Sequence, residues 1–382
     1  MTRPVNEIYC YFIFSVFWIL LYAQKNVTEE HVQTKMKTYC TTPEGVKGFC
    51  MPLSNCSNLV GLTNKTEARK HLKKSKCGPR KDDPDNPKVC CGTHNYLADV
   101  FPKICGEQNI TIRGRILGGK VARLGEFPWL ARLIHKRNGF KKAGCAGFLI
   151  TSKFIVTAAH CLESDMIQYL GPLYEVVLGE HNTQTEIDCE SKNKTCAPKN
   201  QVIRVKKTIS HSMYDEKSKQ HHHDIALIQL KKSAKFTSHV APICVLEKVE
   251  FKPYEYWISG WGLTNDSNPN SQSSVKLKVS IPPFSHLNCS EKYKSIDMNI
   301  TDMQLCAGGI KGKDSCSGDS GGPLMLVKNR NHWFAAGVVS YGLGCGKENW
   351  PGIYTNITSY TNWIRKTIWQ NEHKKKKSKI MH

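Results

Sequence analysis

The apolar positions of this 382-residue chain fall in short runs rather than long stripes. From Ile116 onward, Phe148–Ala158, Val202–Ile209, Asp224–Leu230, Val275–Ile281 and Ala335–Tyr341 are rich in apolar and β-branched residues, with Gly, Pro, Asn and Ser between them. Many short strands punctuated by turn residues predict an all-β barrel or sandwich. Near the end, Ile357–Gln370 carries Trp363, Ile364 and Ile368 at helical spacing and predicts a terminal helix. At the other end, Ile8–Tyr22 is mostly apolar, follows Thr2-Arg3 and runs into Ala23, which reads as a secretory signal peptide over residues 1–23. That stretch is shorter than the ~20 residues of a spanning helix, and the chain has no longer apolar run, so no membrane span is expected.

Composition narrows the class. With 40% apolar residues the chain can build real cores, so wholesale disorder is excluded. The formal net charge of +22 raises the question of nucleic acid, but positive charge also fits a secreted protein that meets acidic surfaces, and no nucleic-acid partner is expected. Seventeen Cys are too many for an ordinary cytosolic enzyme. Cys10 lies in the signal segment, and the remaining Cys form an even set able to pair completely. Six of them crowd into residues 40–91, a stretch too small for a large core and in need of staples. Residues 92–115 read as a linker and activation segment, and 371–382 as a solvated basic tail. Asn-x-Ser/Thr sites recur from Asn26 to Asn356, in keeping with passage through the secretory pathway.

Three local motifs carry chemistry: Thr157-Ala158-Ala159-His160-Cys161, Asp224-Ile225-Ala226-Leu227 and Gly318-Asp319-Ser320-Gly321-Gly322-Pro323. Acyl transfer needs a hydroxyl nucleophile, a base titrating near neutrality, and a buried carboxylate that fixes the imidazole tautomer. Ser320, His160 and Asp224 can fill those roles in that order. The glycines around Ser320 permit a tight turn that aims the Gly318 and Ser320 N–H groups at a developing oxyanion.

In the chain order His–Asp–Ser these motifs resemble the chymotrypsin-like serine proteases, over residues 116–370. The resemblance implies a mainly β fold of two six-stranded antiparallel β-barrels with a C-terminal helix, and a catalytic triad in the cleft between the barrels. It places Asp314 at the floor of the primary pocket, with Ser315 beside it and Gly342 and Gly352 as open walls. A buried carboxylate there selects a long cationic side chain, so cleavage is expected after Arg or Lys. Ser340-Tyr341-Gly342 would pair with substrate backbone as an added strand. Tyr341 stands where the family usually has Trp, and Pro351 implies no Na⁺ dependence. Arg113-Gly114-Arg115 precedes Ile116-Leu117-Gly118-Gly119, which resembles a zymogen junction. Cutting after Arg115 would free an Ile116 ammonium to pair with Asp319.

The Cys spacing of residues 40–91, ending in the adjacent Cys90-Cys91, resembles the CLIP domain of arthropod clotting and immune proteases, of the Easter and Grass type. From sequence alone the six Cys allow fifteen pairings. The resemblance implies Cys40–Cys90, Cys50–Cys77 and Cys56–Cys91 there. Beyond it, the resemblance implies Cys105–Cys244, Cys145–Cys161, Cys189–Cys196, Cys289–Cys306 and Cys316–Cys345. The loop from Gly179 to Glu190 concentrates acid in a basic protein, and hard oxygen ligands suit Ca²⁺. Glu180 and Asp188 are the expected carboxylates and Asn182 and Thr185 the carbonyl donors, with Glu190 a rival. His221-His222-His223 looks metal-like but precedes Asp224 in an expected loop, and is read as no metal site. The expectation is a secreted serine endopeptidase zymogen of an extracellular cascade. Its expected partners are protein substrates, a trypsin-like activator and a serpin-type inhibitor. Clotting, melanisation and Toll-ligand processing all stay open. A catalytically dead homologue is the rival reading, which the presence of all three triad residues disfavours. Polyanion binding is a possible added property.

Overall fold

The structure is a computed structural model that describes residues 39–42, 47–56, 59, 73–77, 86–92, 100–108, 119–190, 195–247, 253–328 and 331–373. The signal segment, the Arg115–Ile116 junction and the lysine tail lie outside the described residues. The chain divides into two units, residues 1–95 and 96–382.

In the first unit three strands, β1 (Tyr39–Thr41), β2 (Lys47–Pro52) and β3 (Lys88–Gly92), form an antiparallel sheet in the order β1-β2-β3. Its apolar cluster is small: Leu53, Cys56, Leu59, Val89 and Cys91. Three disulfides supply what that core lacks, joining Cys40 to Cys90, Cys50 to Cys77 and Cys56 to Cys91.

In the second unit β4 (Leu130–Arg137), β5 (Phe140–Thr151), β6 (Phe154–Thr157), β7 (Leu173–Leu178), β8 (Gln201–Ser210) and β9 (Ala226–Leu230) close a barrel in the order β8-β9-β6-β5-β4-β7. Strands β6 and β9 are buried along their whole length, which is why they read as continuous apolar runs rather than alternations. The predicted run Phe148–Ala158 is two strands. The Thr151 hydroxyl accepts the N–H of Lys153 at 3.2 Å and of Phe154 at 3.1 Å, folding the chain back on itself. Helix α1 (Ser164–Leu170) follows β6.

The second sheet contains β10 (Tyr256–Gly260), β11 (Leu277–Ile281), β12 (Gln304–Gly308), β13 (Pro323–Lys328), β14 (His332–Tyr341) and β15 (Pro351–Asn356). They run in the order β12-β15-β14-β13-β10-β11, with short strands Lys120–Val121 and Cys244–Val245 added to β11 and β14. The chain leaving β11 meets β12, with Gly308 N–H donating to Pro282 O at 2.8 Å and Phe284 N–H to Cys306 O at 2.9 Å. Those bonds bring the two ends of the six-strand order together as a second barrel. Helix α2 (His286–Lys294) packs beside β12 and is tied to it by Cys289–Cys306.

The largest core cluster extends from the first barrel into residues of the second, whose interior also holds its own cluster. Trp333 of β14 meets Phe127 at 5.2 Å and Trp129 and Trp257 at 6.1 Å between ring centres, and Trp129 Nε1 donates to Met325 Sδ. This aromatic seam fixes one barrel against the other. The predicted terminal helix is a 3₁₀ turn, Ile357–Tyr360, followed by α3 (Thr361–His373). Asn356 starts the turn by accepting the Thr358 N–H at 3.2 Å, while Ile364 and Ile368 are fully buried.

Candidate active site

His160 opens a short turn directly after β6, and Asp224 sits two residues before β9, so adjacent barrel strands bring them together. His160 Nδ1 lies 2.8 Å from Asp224 Oδ2, and the His160 backbone N–H donates to Oδ1 at 2.9 Å. The Ser340 hydroxyl also donates to Asp224 Oδ2. Thr355 Oγ1 holds the Asp224 carbonyl at 2.7 Å. Burial pushes the Asp224 carboxyl up, but the His160 charge and these hydrogen bonds more than offset it and hold it below the ordinary value. Burial likewise pushes His160 down, and Asp224 overcomes this and raises it above the usual imidazole value. The result is an oriented, strengthened base.

Ser320 lies on the turn entering β13. Its carbonyl accepts the Ala146 N–H at 2.8 Å and lies 3.7 Å from Cys161 Sγ, which places it beside the His160 turn. Among the described residues no hydrogen bond joins the Ser320 hydroxyl to the imidazole; such contacts commonly tighten only around substrate. Gly321 has φ +79°, and a Cβ there would lie 2.1 Å from Thr157 Oγ1, so only glycine lets this turn sit against β6. Gly318, at φ +102°, is equally glycine-dependent. Asp319 N–H and Gly322 N–H turn inward to carbonyls, whereas the Gly318 and Ser320 N–H groups have no acceptor among the described residues. Two adjacent unpaired donors beside a hydroxyl can stabilise an oxyanion.

The Asp319 carboxylate is inserted between Gly260 and Gly262, where a Cβ would meet it at 2.1 Å and 2.5 Å. It accepts the Gly262 N–H at 2.8 Å and the Cys316 N–H at 3.1 Å, and burial pushes it up to about 6. Among the described residues no cation faces it.

Asp314 accepts the Ser315 N–H at 2.8 Å and the Gly346 N–H at 3.1 Å, and burial pushes it up to about 6. A Cβ on Gly352 would stand 3.2 Å from Asp314 Oδ1, while one on Gly342 would touch nothing closer than 3.7 Å. The two glycines keep an open path to a partly buried carboxylate. Cys316–Cys345 straps the pocket. Cys145–Cys161, Cys189–Cys196 and Cys105–Cys244 complete the bridges of this unit.

The three histidines before Asp224 go to different partners. His222 Nε2 meets Asn299 O at 2.8 Å, and His223 Nδ1 meets the Tyr360 hydroxyl at 2.9 Å. His221 lies 6.3 Å from the His160 ring and 5.2 Å from the Tyr341 ring. His221 is therefore a cleft residue that the sequence reading missed; its place three residues before Asp224 was the available signal.

In the acidic loop Glu180 and Asp188 are both buried. Asp188 accepts the N–H groups of His181 at 3.0 Å and Asn182 at 3.2 Å, and the Thr185 hydroxyl at 2.6 Å. Asn182 O accepts the Thr185 N–H at 3.0 Å. Burial and the charge of Asp188 raise Glu180, although Arg132 lies 3.9 Å away. Glu190 instead pairs with Thr195 in a short ladder.

A hydroxyl, an oriented imidazole–carboxylate pair, two open N–H donors and an anionic pocket together define a serine endopeptidase of the two-barrel kind. A family model described as trypsin matches residues 116–364, and one described as the regulatory CLIP domain of proteinases matches residues 40–91. Phenoloxidase-activating factor 1 of Holotrichia diomphalia is 35% identical over 87% of this chain and 94% of its own length. The Spaetzle-processing enzyme of Drosophila melanogaster is 36% identical over 84% and 89%. The crystal structure of the Drosophila Grass clip serine protease of the Toll pathway superposes with a TM-score of 0.62 at 32% identity, covering 88% of this chain and 98% of that one. The chain belongs to the CLIP-domain branch of the trypsin family and is a trypsin-like serine endopeptidase.

Proposed function

We propose that the protein is a secreted zymogen of an extracellular immune cascade, switched on by cleavage between Arg115 and Ile116, that then cuts protein substrates after Arg or Lys. The observation that carries the switch is the Asp319 carboxylate, partly buried between Gly260 and Gly262 with no cation among the described residues. A desolvated carboxylate without a counter-charge is costly, and a new Ile116 ammonium would relieve it. Asp319 directly precedes Ser320, so that pairing braces the turn bearing the Gly318 and Ser320 N–H groups.

In the activated enzyme Asp314 binds the cationic side chain, and Ser340-Tyr341-Gly342 aligns the substrate backbone. His160 takes the Ser320 proton as the hydroxyl attacks the carbonyl, and Asp224 stabilises the imidazolium. The oxyanion is held by the Gly318 and Ser320 N–H groups. His160 then protonates the leaving amine, and water releases the acyl group by the reverse roles.

The relatives are named for phenoloxidase activation and Spaetzle processing, which supports an immune cascade acting on protein substrates. A trypsin-like activator upstream and a serpin-type inhibitor complete the proposed setting. Among the described residues no helix is long and apolar enough to cross a membrane. The acidic loop fits Ca²⁺, because two buried carboxylates, Glu180 and Asp188, stand close enough to raise Glu180. These two, with the Asn182 and Thr185 carbonyls, would hold an ion whose contribution is charge neutralisation.

Brief trypsin treatment of the precursor should yield a heavy chain beginning at Ile116, with activity rising from near zero. An Arg115→Gln precursor should stay silent. Full activity in that variant, or a heavy chain starting elsewhere, refutes the switch.

A further inference from the structure

The outer face of the first barrel carries a cationic surface that the reaction does not use. Lys136 and Lys141 stand directly opposite each other across β4 and β5. Like charges in that position destabilise a sheet. Both lysines lean over the ring of Tyr174, at 4.8 Å and 5.7 Å, and the Arg204 guanidinium stacks on the same ring at 3.4 Å. Next along β5, the Lys142 ammonium sits 5.2 Å from the ring of Tyr169. Four cations share one nearby carboxylate among the described residues, the buried Glu175, which pairs with Lys141 at 2.6 Å. The rings spread this charge but do not neutralise it. An anionic partner would turn the remaining repulsion into attraction.

Two further features say which anion. Phe140 and Tyr169 are 82% and 71% exposed beside these cations, so the surface is apolar as well as basic. A mixed surface of this kind matches an acidic peptide with apolar residues better than a uniformly charged polysaccharide. The strand that carries this surface also runs to the active site. Ala146 of β5 holds the Ser320 carbonyl, and Phe140–Lys142 lie on the same strand, roughly 15 Å back at about 3.3 Å per residue. An extended substrate covers that span in about five residues.

We propose that this surface is a substrate-docking site for an acidic, partly apolar stretch of the protein being cleaved, about five residues from the scissile bond. The proposal rests on the endopeptidase reading above and names which substrates that enzyme prefers. Docking there holds the scissile bond over Ser320 and lowers KM, with kcat little changed.

The test uses the trypsin-activated full-length protein and internally quenched peptides containing a single Arg. One carries four Asp/Glu with a Phe, about five residues before the Arg. A second carries the same stretch about five residues after it, and each has an Asn/Gln counterpart. In about 50 mM salt at least one acidic peptide should exceed its neutral counterpart in kcat/KM by about tenfold, and the advantage should shrink toward none at about 500 mM. Lys136→Gln/Arg204→Gln should lose about fivefold on that peptide, mostly in KM, and Lys142→Gln should lose part of it. All variants should match wild type on a three-residue chromogenic Arg substrate, which also reports that they fold. Equal wild-type rates on both acidic peptides and their counterparts overturn the proposal. So does loss of heparin retention in the double variant without any change on peptides, which assigns the surface to polysaccharide. Wild-type inactivity on the chromogenic substrate would instead remove the endopeptidase reading itself.

Discussion

Asp314 and Asp319 are five residues apart, both partly buried and both raised to about 6 by desolvation, yet they differ in setting. On the proposed reading, Asp314 takes a cation from substrate, and Asp319 takes one from the chain's own cut end. Asp314→Ser leaves an incoming Arg or Lys without a counter-charge in a pocket that binding desolvates, at a cost of about 3–5 kcal/mol. Its kcat/KM on Arg and Lys peptides should therefore fall by roughly 10² to 10⁴, read on a chromogenic panel varied at one position. A retained Arg preference would show that the pocket lies elsewhere. For Asp319 the folded value of about 6 stands above the 3.8 of the free group. Burial therefore costs the precursor stability above about pH 6, and that cost is gone below about pH 4. The thermal midpoint of an Asp319→Asn precursor, relative to wild type, should accordingly move upward as pH rises from about 4 to about 7. A flat or opposite trend would mean that Asp319 is already neutralised in the precursor.

At the scale of elements, the acidic loop is tied to the segments around Asp319. His181 O accepts the Lys276 N–H at 2.8 Å and Trp261 Nε1 at 3.2 Å, and the Thr183 N–H reaches Ser274 O at 2.8 Å. Trp261 is flanked by Gly260 and Gly262, the two glycines around Asp319. Beneath the loop Lys276 is buried and pushed down to about 8 by desolvation, against the pull of Glu126, Glu180 and Asp188. If Ca²⁺ fills this loop, millimolar Ca²⁺ should raise the melting temperature of the whole protein. An ion at about 100 times its Kd contributes about 2.7 kcal/mol, or roughly 5–10 °C for a domain of this size. Glu180→Gln should erase most of the shift, and a wild type indifferent to Ca²⁺ would retire the site. This loop was legible as an acid-rich interval in a basic chain. Its backbone pairing with Ser274–Lys276 was not, because the partner lies some ninety residues away and carries no matching pattern.

Across the whole molecule, the segment that reads as linker is partly seated on the protease unit. Val100 and Phe101 pack against its core, and Gln108 Oε1 accepts the Phe127 N–H at 3.1 Å. Gly106 N–H donates to Pro242 O, and Gly106 O accepts the Trp333 N–H, each at 2.8 Å. A Cβ on Gly106 would lie 2.1 Å from Trp333 O, so the fit requires glycine. The bond between Cys105 and Cys244 makes the attachment covalent. After cutting at Arg115 the protein should run as one band without reductant and two with it. In a Cys105→Ser/Cys244→Ser protein the two chains should separate on a denaturing gel even without reductant. One band there would show another link between them.

By itself the sequence determined what is local: the three chemical motifs, the crowding of six cysteines into residues 40–91, and the strands at 202–209 and 335–341, while the pocket residue and the cysteine pairing came only through the family resemblance. Local steric demands explain this, since a nucleophile turn needs its glycines and a buried strand needs its apolar run. Tertiary structure alone decided what depends on distant partners. It split 148–158 into a hairpin, drew residues 100–108 onto the core, sent three adjacent histidines to three different neighbours, and gathered Lys136, Lys141 and Arg204 around one tyrosine. Each of those outcomes is set by the closing of a barrel, where strands far apart in the chain become neighbours and side-chain chemistry is shared between them.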